Sequence, residues 1–186
     1  MKVLVIPEDP KLDQYILKPI VERIFEDLGK SPRVTVLPKP RLRGVAQALN
    51  SAILADIVAT YPMNDLFLVL VDQDGDRNRA AVASAREGEH PGRLFVCLAV
   101  EEVEVWMLAL HSDTLGTRWQ DVRSEIHLKE RFAEPFLRER APKLDLGGGR
   151  VWAMRDLGRQ WSGVLRRCEE LGELKRKLQA WLAGRS

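Results

Sequence analysis

The chain has 186 residues, 45% of them hydrophobic, which is enough for one ordinary domain or a domain with an appendage. No apolar run approaches the length of a membrane span, and Met1-Lys2-Val3-Leu4-Val5-Ile6 enters a strand-like run with no small-residue cleavage site, so a secreted or membrane protein is not expected. The net charge of +2 hides an asymmetry: residues 1–117 carry 13 Lys/Arg against 17 Asp/Glu, and residues 118–186 carry 16 against 10. Such a split suits an acidic site joined to a surface for polyanions, although solvated helix faces account for the basic tail equally well. Cys97 and Cys168 are far apart in sequence and read as thiols in a reducing compartment, which makes a cytoplasmic location the expectation.

Lys2–Ile6 reads as a first strand ended by Pro7, with Glu8 and Asp9 at its carboxyl end. Ile16, Ile20, Val21, Ile24, Phe25 and Leu28 have helical spacing, and Gly29 is a stop signal. Pro19 either kinks this helix or marks its first turn. Arg33–Leu37 is a short second strand. The basic linker Lys39-Pro40-Arg41-Leu42-Arg43-Gly44 follows, and then one helix is expected from Val45 to Tyr61.

Leu66-Phe67-Leu68-Val69-Leu70-Val71 is an unbroken apolar run of strand length that ends in Asp72-Gln73-Asp74-Gly75-Asp76. A strand apolar on both faces suits the interior of a parallel sheet covered on both sides. Its aspartates then fall at the carboxyl edge, where open α/β sheets bind ligands. Crowded carboxylates repel one another, and a hard divalent cation, Mg²⁺ or Mn²⁺, relieves that repulsion. Two other readings fit the same residues less well. One is a polar turn, since Asp-Gly is common turn chemistry. The other, a calcium loop of the EF-hand kind, is excluded, because Arg77 and Ala83 stand where it needs glycine and glutamate.

Arg79–Arg86 is a short alanine-rich helix, His90 falls in a surface loop, and Leu94–Val100 is a fourth strand. Glu101, Glu102 and Glu104 sit at the next helix entrance, where the helix dipole favours acids. Glu101 and Glu104 would share one face there and add carboxylates to the same edge. The βαβαβαβα order over residues 1–111 implies a parallel sheet of about four strands flanked by helices, Rossmann-like in plan. Residues 112–186 read as a helical extension packed on it. Trp152, Met154, Leu157, Trp161, Val164, Leu165 and Cys168 form its core stripe.

An acid after strand one (Glu8) and an Asp-x-Asp after a later central strand (Asp72, Asp74) together resemble the Toprim domain. Primases, topoisomerases and the nucleases of overcoming-lysogenization-defect proteins share that domain. Glu101-Glu102-Val103-Glu104-Val105-Trp106-Met107-Leu108-Ala109 is similar to the Glu-x-Trp-Leu-Leu-Ala signature of a bacterial Toprim-related family, the DUF4276 type, often encoded beside ABC-type ATPases in defence loci. The chain departs from these patterns at Met107, where leucine is usual, and at Asp9-Pro10, where glycine often follows the first acid.

The resemblance implies a divalent-metal-dependent endonuclease acting on DNA or RNA, an effector of anti-phage defence controlled by an ABC-type ATPase. It implies Glu8, Asp72 and Asp74 as catalytic residues, and as metal ligands those three with Asp76 and Glu104. Lys39, Arg41, Arg43, Arg77 and Arg79 are the candidates for contact with nucleic acid, and the chain could act as a homo-oligomer. Two alternatives stay open. One is a silent Toprim scaffold that docks an ATPase or nucleic acid. The other is a phosphatase of the haloacid dehalogenase type, with Asp72 as nucleophile and Asp74 as general acid.

Overall fold

The computed structural model describes residues 1–185. Four strands, β1 (Lys2–Ile6), β2 (Arg33–Val36), β3 (Leu66–Asp72) and β4 (Leu94–Ala99), form one sheet in the order β2-β1-β3-β4. All three pairings are parallel, with Ile6 opposite Val69 and Asp72 opposite Ala99. The fold is therefore α/β with a Rossmann-like parallel sheet. Interior strands must be apolar on both faces, and β3 is buried along its whole length.

The two-residue period of the strands divides the core into two layers. Val3, Val5, Leu66, Leu68 and Leu70 face helix α1 (Gln14–Asp27) and the helices of the carboxyl-terminal half. Leu4, Ile6, Phe67, Val69 and Val71 face the opposite layer, which holds α2 (Val45–Ala48), α3 (Ser51–Thr60) and α4 (Arg79–Glu89). From β1 the chain crosses outward to β2, then returns past β1 to β3 and continues to β4. The winding direction thus reverses between β1 and β3, and the carboxyl ends of these two strands are the topological switch point of the sheet.

Helix α5 (Glu104–Leu108) leads from β4 into the carboxyl-terminal half, which contains α6 (Trp119–Arg123), α7 (Glu134–Arg140), α8 (Arg150–Ala153), α9 (Leu157–Arg167) and α10 (Glu169–Ala183). Its apolar residues, Trp161, Val164, Leu171, Leu174 and Leu178 among them, join the same hydrophobic cluster as α1 and one face of the sheet. Glu170 fixes the junction: its carboxylate accepts from Trp106 Nε1 at 2.8 Å and from both terminal nitrogens of Arg123 at 2.7 and 3.0 Å. Both cysteines are buried as free thiols. Among the described residues no helix is long and apolar enough to cross a membrane.

Local details differ from the sequence expectations. Pro19 lies inside α1, past its first turn, and the helix continues through it. The single helix expected over 45–61 is two, because Asn50 adopts an extended conformation and its side chain accepts from Ile53 N at 3.1 Å, capping a new helix. His90 is half-buried rather than superficial, with Nε2 enclosed and unpartnered. The stripe from Met154 to Cys168 is buried except for the half-buried Leu165, but it is not one helix: a 3₁₀ turn occupies Met154–Asp156, and Cys168 breaks the path between α9 and α10. Trp152 stays half-buried and stacks on His111, ring centroids 5.7 Å apart.

Candidate metal centre

The site grows from the end of β3. Asp72 closes the strand, is 8% exposed, and its Oδ1 accepts the Val103 backbone N–H at 2.8 Å, immediately before α5. The chain then turns tightly, with Asp74 (φ 45°) and Gly75 (φ 67°) in the left-handed region. Aspartate tolerates that region better than most residues and glycine enters it freely. The loop after β4 clamps this turn. The N–H groups of Gln73 and Asp74 donate to the Glu101 carbonyl at 2.9 and 3.1 Å, and the Gly75 N–H donates to Glu101 Oε2 at 2.6 Å.

This clamp changes the glutamate cluster. Glu101 has φ 65° and lies in the loop, and α5 begins only at Glu104. Glu101 and Glu104 therefore do not share a helix face; Glu101 is occupied with the Gly75 turn. Glu102 faces the aspartates instead. Oxygens of Asp72, Asp74 and Glu102 lie within 4.8 Å of one another, an arrangement that can hold a metal ion.

Glu8, in the loop after β1, borders this trio at Asp72 but is not grouped with it. Its carboxyl lies against Asp72 and near the charge of Asp74, and Oε2 is buried with no hydrogen-bond partner. Burial, and then the neighbouring Asp74 charge, raise its pKa despite the contacts with Asp72 and Arg79 that act the other way. Burial and the Glu8 charge push Asp72 up to about 9, and Glu104 and Asp13 add to this. Each carboxyl group so placed disfavours the charge on the other. Burial also pushes Glu102 up to about 7, against a bond from the Lys129 N–H.

The remaining candidates are placed as follows. Glu104 is 2% exposed and pairs with Arg150, itself 3% exposed, at 2.6 Å. This buried pair ties α8 to α5, so the carboxylate is engaged by a guanidinium rather than grouped with the trio. Asp76 is exposed, and its Oδ1 accepts the Asn78 N–H at 2.9 Å at the approach to α4. Arg79 is drawn into the site: Nη1 donates to the Asp72 carbonyl at 2.8 Å and to Asp74 Oδ2 at 2.7 Å, which leaves it a positioning role rather than a free hand for phosphate. Arg77, Lys39, Arg41 and Arg43 are exposed.

Three residues were not singled out by the sequence patterns. Asp13 stands just before α1, where an acid normally caps a helix, yet its side chain caps nothing there. Oδ2 accepts the Asp9 N–H at 3.1 Å instead. It is 5% exposed, and burial together with the Glu104 charge pushes it up to about 7. Glu102 looked like one of several helix-entrance acids, and Arg150 like an ordinary basic residue after three glycines. Only the fold brings them to this edge.

The donor set of Asp72, Asp74 and Glu102 is all oxygen, with the unpartnered Glu8 Oε2 buried beside Asp72, which fits a hard divalent cation and not a soft one. A cavity of about 450 Å³ between α7 and the glycine loop reaches this region only through its lining residue Arg150. No family model, no curated protein and no solved structure matches the chain.

Proposed function

We propose that the protein is a divalent-metal-dependent phosphodiesterase acting on DNA or RNA. One observation carries the reading: acids from the end of β3 and the loop after β4 gather at the switch point of a parallel sheet, and Glu8, from the loop after β1, lies against Asp72 with Oε2 buried and without a partner. Ligands of such sheets bind at that point. Asp72, Asp74 and Glu102 would hold the cation. When bound, Mg²⁺ or Mn²⁺ supplies a counter-charge for phosphoryl oxygens and a more acidic water.

The rest of the chemistry belongs to the chain. Glu8, whose pKa is raised by burial, can take or return a proton at Oε2. Arg79 holds Asp74 against the sheet edge, and the Val103 N–H fixes Asp72. These bonds orient the carboxylates before substrate arrives. The resemblance to Toprim proteins supports the same reading, and it alone supports an ABC-type ATPase as controlling partner.

A small-ester test separates this reading from a phosphomonoesterase with an aspartyl intermediate. The expected result is Mn²⁺-dependent hydrolysis of bis(p-nitrophenyl) phosphate, little turnover of p-nitrophenyl phosphate, and no trapped phosphoaspartate. Preferred turnover of the monoester, with label retained on Asp72, would overturn the proposal.

A further inference from the structure

The acidic cluster is walled on one side and flanked by unpaired cations on the other. Beyond β3 and β4, segment 124–129 packs against the turn. A methyl group placed on Gly75 would lie 3.8 Å from Ile126 Cδ1, and the Lys129 N–H donates to Glu102 Oε2. Asp76 and Glu101 add negative charge there, beside the exposed Arg77 of the same turn. On the opposite flank, the loops after β1 and β2 carry Lys11, Lys39, Arg41 and Arg43. All four are exposed, and none of their side chains makes an ion pair or hydrogen bond among the described residues.

The β2 loop is held in place although its charges are free. Leu37 and Leu42 are buried at 2% and 6% exposure, Tyr61 Oη donates to the Lys39 carbonyl at 2.7 Å, and the Arg43 N–H donates to Gln47 Oε1 at 2.9 Å. A cleft of about 250 Å³ between the two loops is lined by Pro10, Lys11, Gln14, Leu37, Pro38 and Arg41. In the order β2-β1-β3-β4, two strand spacings, about 10 Å, separate β2 from β3, and the cleft lies within that distance of the end of β3.

We infer that Lys11, Lys39, Arg41 and Arg43 form a one-sided track for a phosphodiester backbone, which enters over β2 and ends at Glu8 and Asp72 against the wall of segment 124–129. The inference rests on the reading of the site as a phosphodiesterase, and it adds a direction: the substrate is gripped mainly from the β2 side of the reacting phosphate. A fixed loop presenting unpaired cations suits a polyanion, because phosphate contacts release counter-ions and position the strand without reading its sequence.

The test is equilibrium binding of fluorescein-labelled single-stranded DNA, duplex DNA and RNA, read by anisotropy over a salt series in chelator. Binding is then scored without metal or turnover, and hydrolysis of bis(p-nitrophenyl) phosphate, too small to span the track, scores the acidic site separately. Four contacts predict that the combined Lys11→Gln, Lys39→Gln, Arg41→Gln, Arg43→Gln variant loses about 3 from the slope of log affinity against log salt. Over a fourfold rise in salt, wild type then loses about 60-fold more affinity than the variant. A charge-matched variant of exposed helix cations (Lys18→Gln, Arg118→Gln, Arg159→Gln, Arg176→Gln) keeps the wild-type slope. An unchanged slope in the first variant, or equal losses in both, overturns the track whether or not the small diester is cleaved. A lost slope with no hydrolysis of the small diester upholds the surface and removes the phosphodiesterase.

Discussion

Asp72→Asn separates the charge of the central carboxylate from its structural bond. The Asp72 pKa is pushed up to about 9 by burial and by Glu8, so without metal at pH 7.5 the group mainly keeps its proton. Asparagine has nearly the same shape and retains an acceptor for the Val103 N–H, 2.8 Å away. The metal-free variant should therefore match wild type to within about 1 kcal/mol, the worth of one hydrogen bond. Metal changes the comparison. At a concentration one hundred times its dissociation constant, a ligand of the native state adds about 2.7 kcal/mol. In a chain of this size that raises Tm by roughly 5–11 °C. Asparagine removes one anionic ligand, and the rise should shrink to below about 2 °C. Thermal unfolding followed by near-ultraviolet circular dichroism, across MnCl₂ and chelator series, reads both numbers. Equal Mn²⁺-dependent rises in variant and wild type would refute the assignment of Asp72 as a ligand.

Other consequences concern stability. Arg150→Ala leaves Glu104 buried without its partner and should cost about 3–5 kcal/mol in urea unfolding, whereas the paired change Glu104→Gln with Arg150→Met should recover most of that loss. Gly149→Ala places a methyl 2.4 Å from Ala141 Cβ at φ +93°, and should cost about 2 kcal/mol or more; an unchanged urea midpoint would contradict the packing of the glycine loop. In chelator, stability should fall as pH rises from about 5 to 8. Asp13 and Glu102 titrate near 7 in the folded chain but at ordinary carboxylate values when unfolded, so deprotonation favours unfolding across that window. Asp13 alone contributes at most about 3 kcal/mol to this trend, most of it below pH 7. Asp27, held low by Lys175, works in the opposite sense at more acid pH. Urea midpoints at pH 5.5 and 8 measure the difference, and a midpoint that rises with pH would contradict the buried acids.

The strand that carries the site was legible because its signal is local. Six consecutive apolar residues can be buried on both faces only inside a covered sheet, and the aspartates must then emerge at its end. The position of Glu8 after β1 was legible from Pro7 ending the first strand, whereas its role came only from the resemblance to Toprim proteins. The rest of the cluster depends on long-range geometry. Glu102 faces Asp72 because Glu101 turns into the left-handed region to clamp Gly75, and a helix-dipole argument gives no hint of that turn. Arg150 meets Glu104 across 46 residues of sequence. Asp13 carries a helix-capping signature that its side chain does not honour. Arg79 was legible as a cation near the acids, but its two bonds to Asp72 and Asp74 show that the charge is used within the site. Breaks at Asn50 and Cys168 escaped the helical periodicity because the apolar spacing continues through both.

The most direct test of the account is nucleic-acid cleavage. Purified protein is incubated with plasmid DNA, single-stranded DNA and bulk RNA, in Mg²⁺, in Mn²⁺ and in chelator, beside Asp72→Asn once thermal unfolding has shown that the variant is folded. A metal-dependent nuclease cleaves at least one substrate with metal, none in chelator, and loses that cleavage in the variant. Cleavage that persists in chelator, or that survives Asp72→Asn, would contradict a metal-dependent centre built on the end of β3.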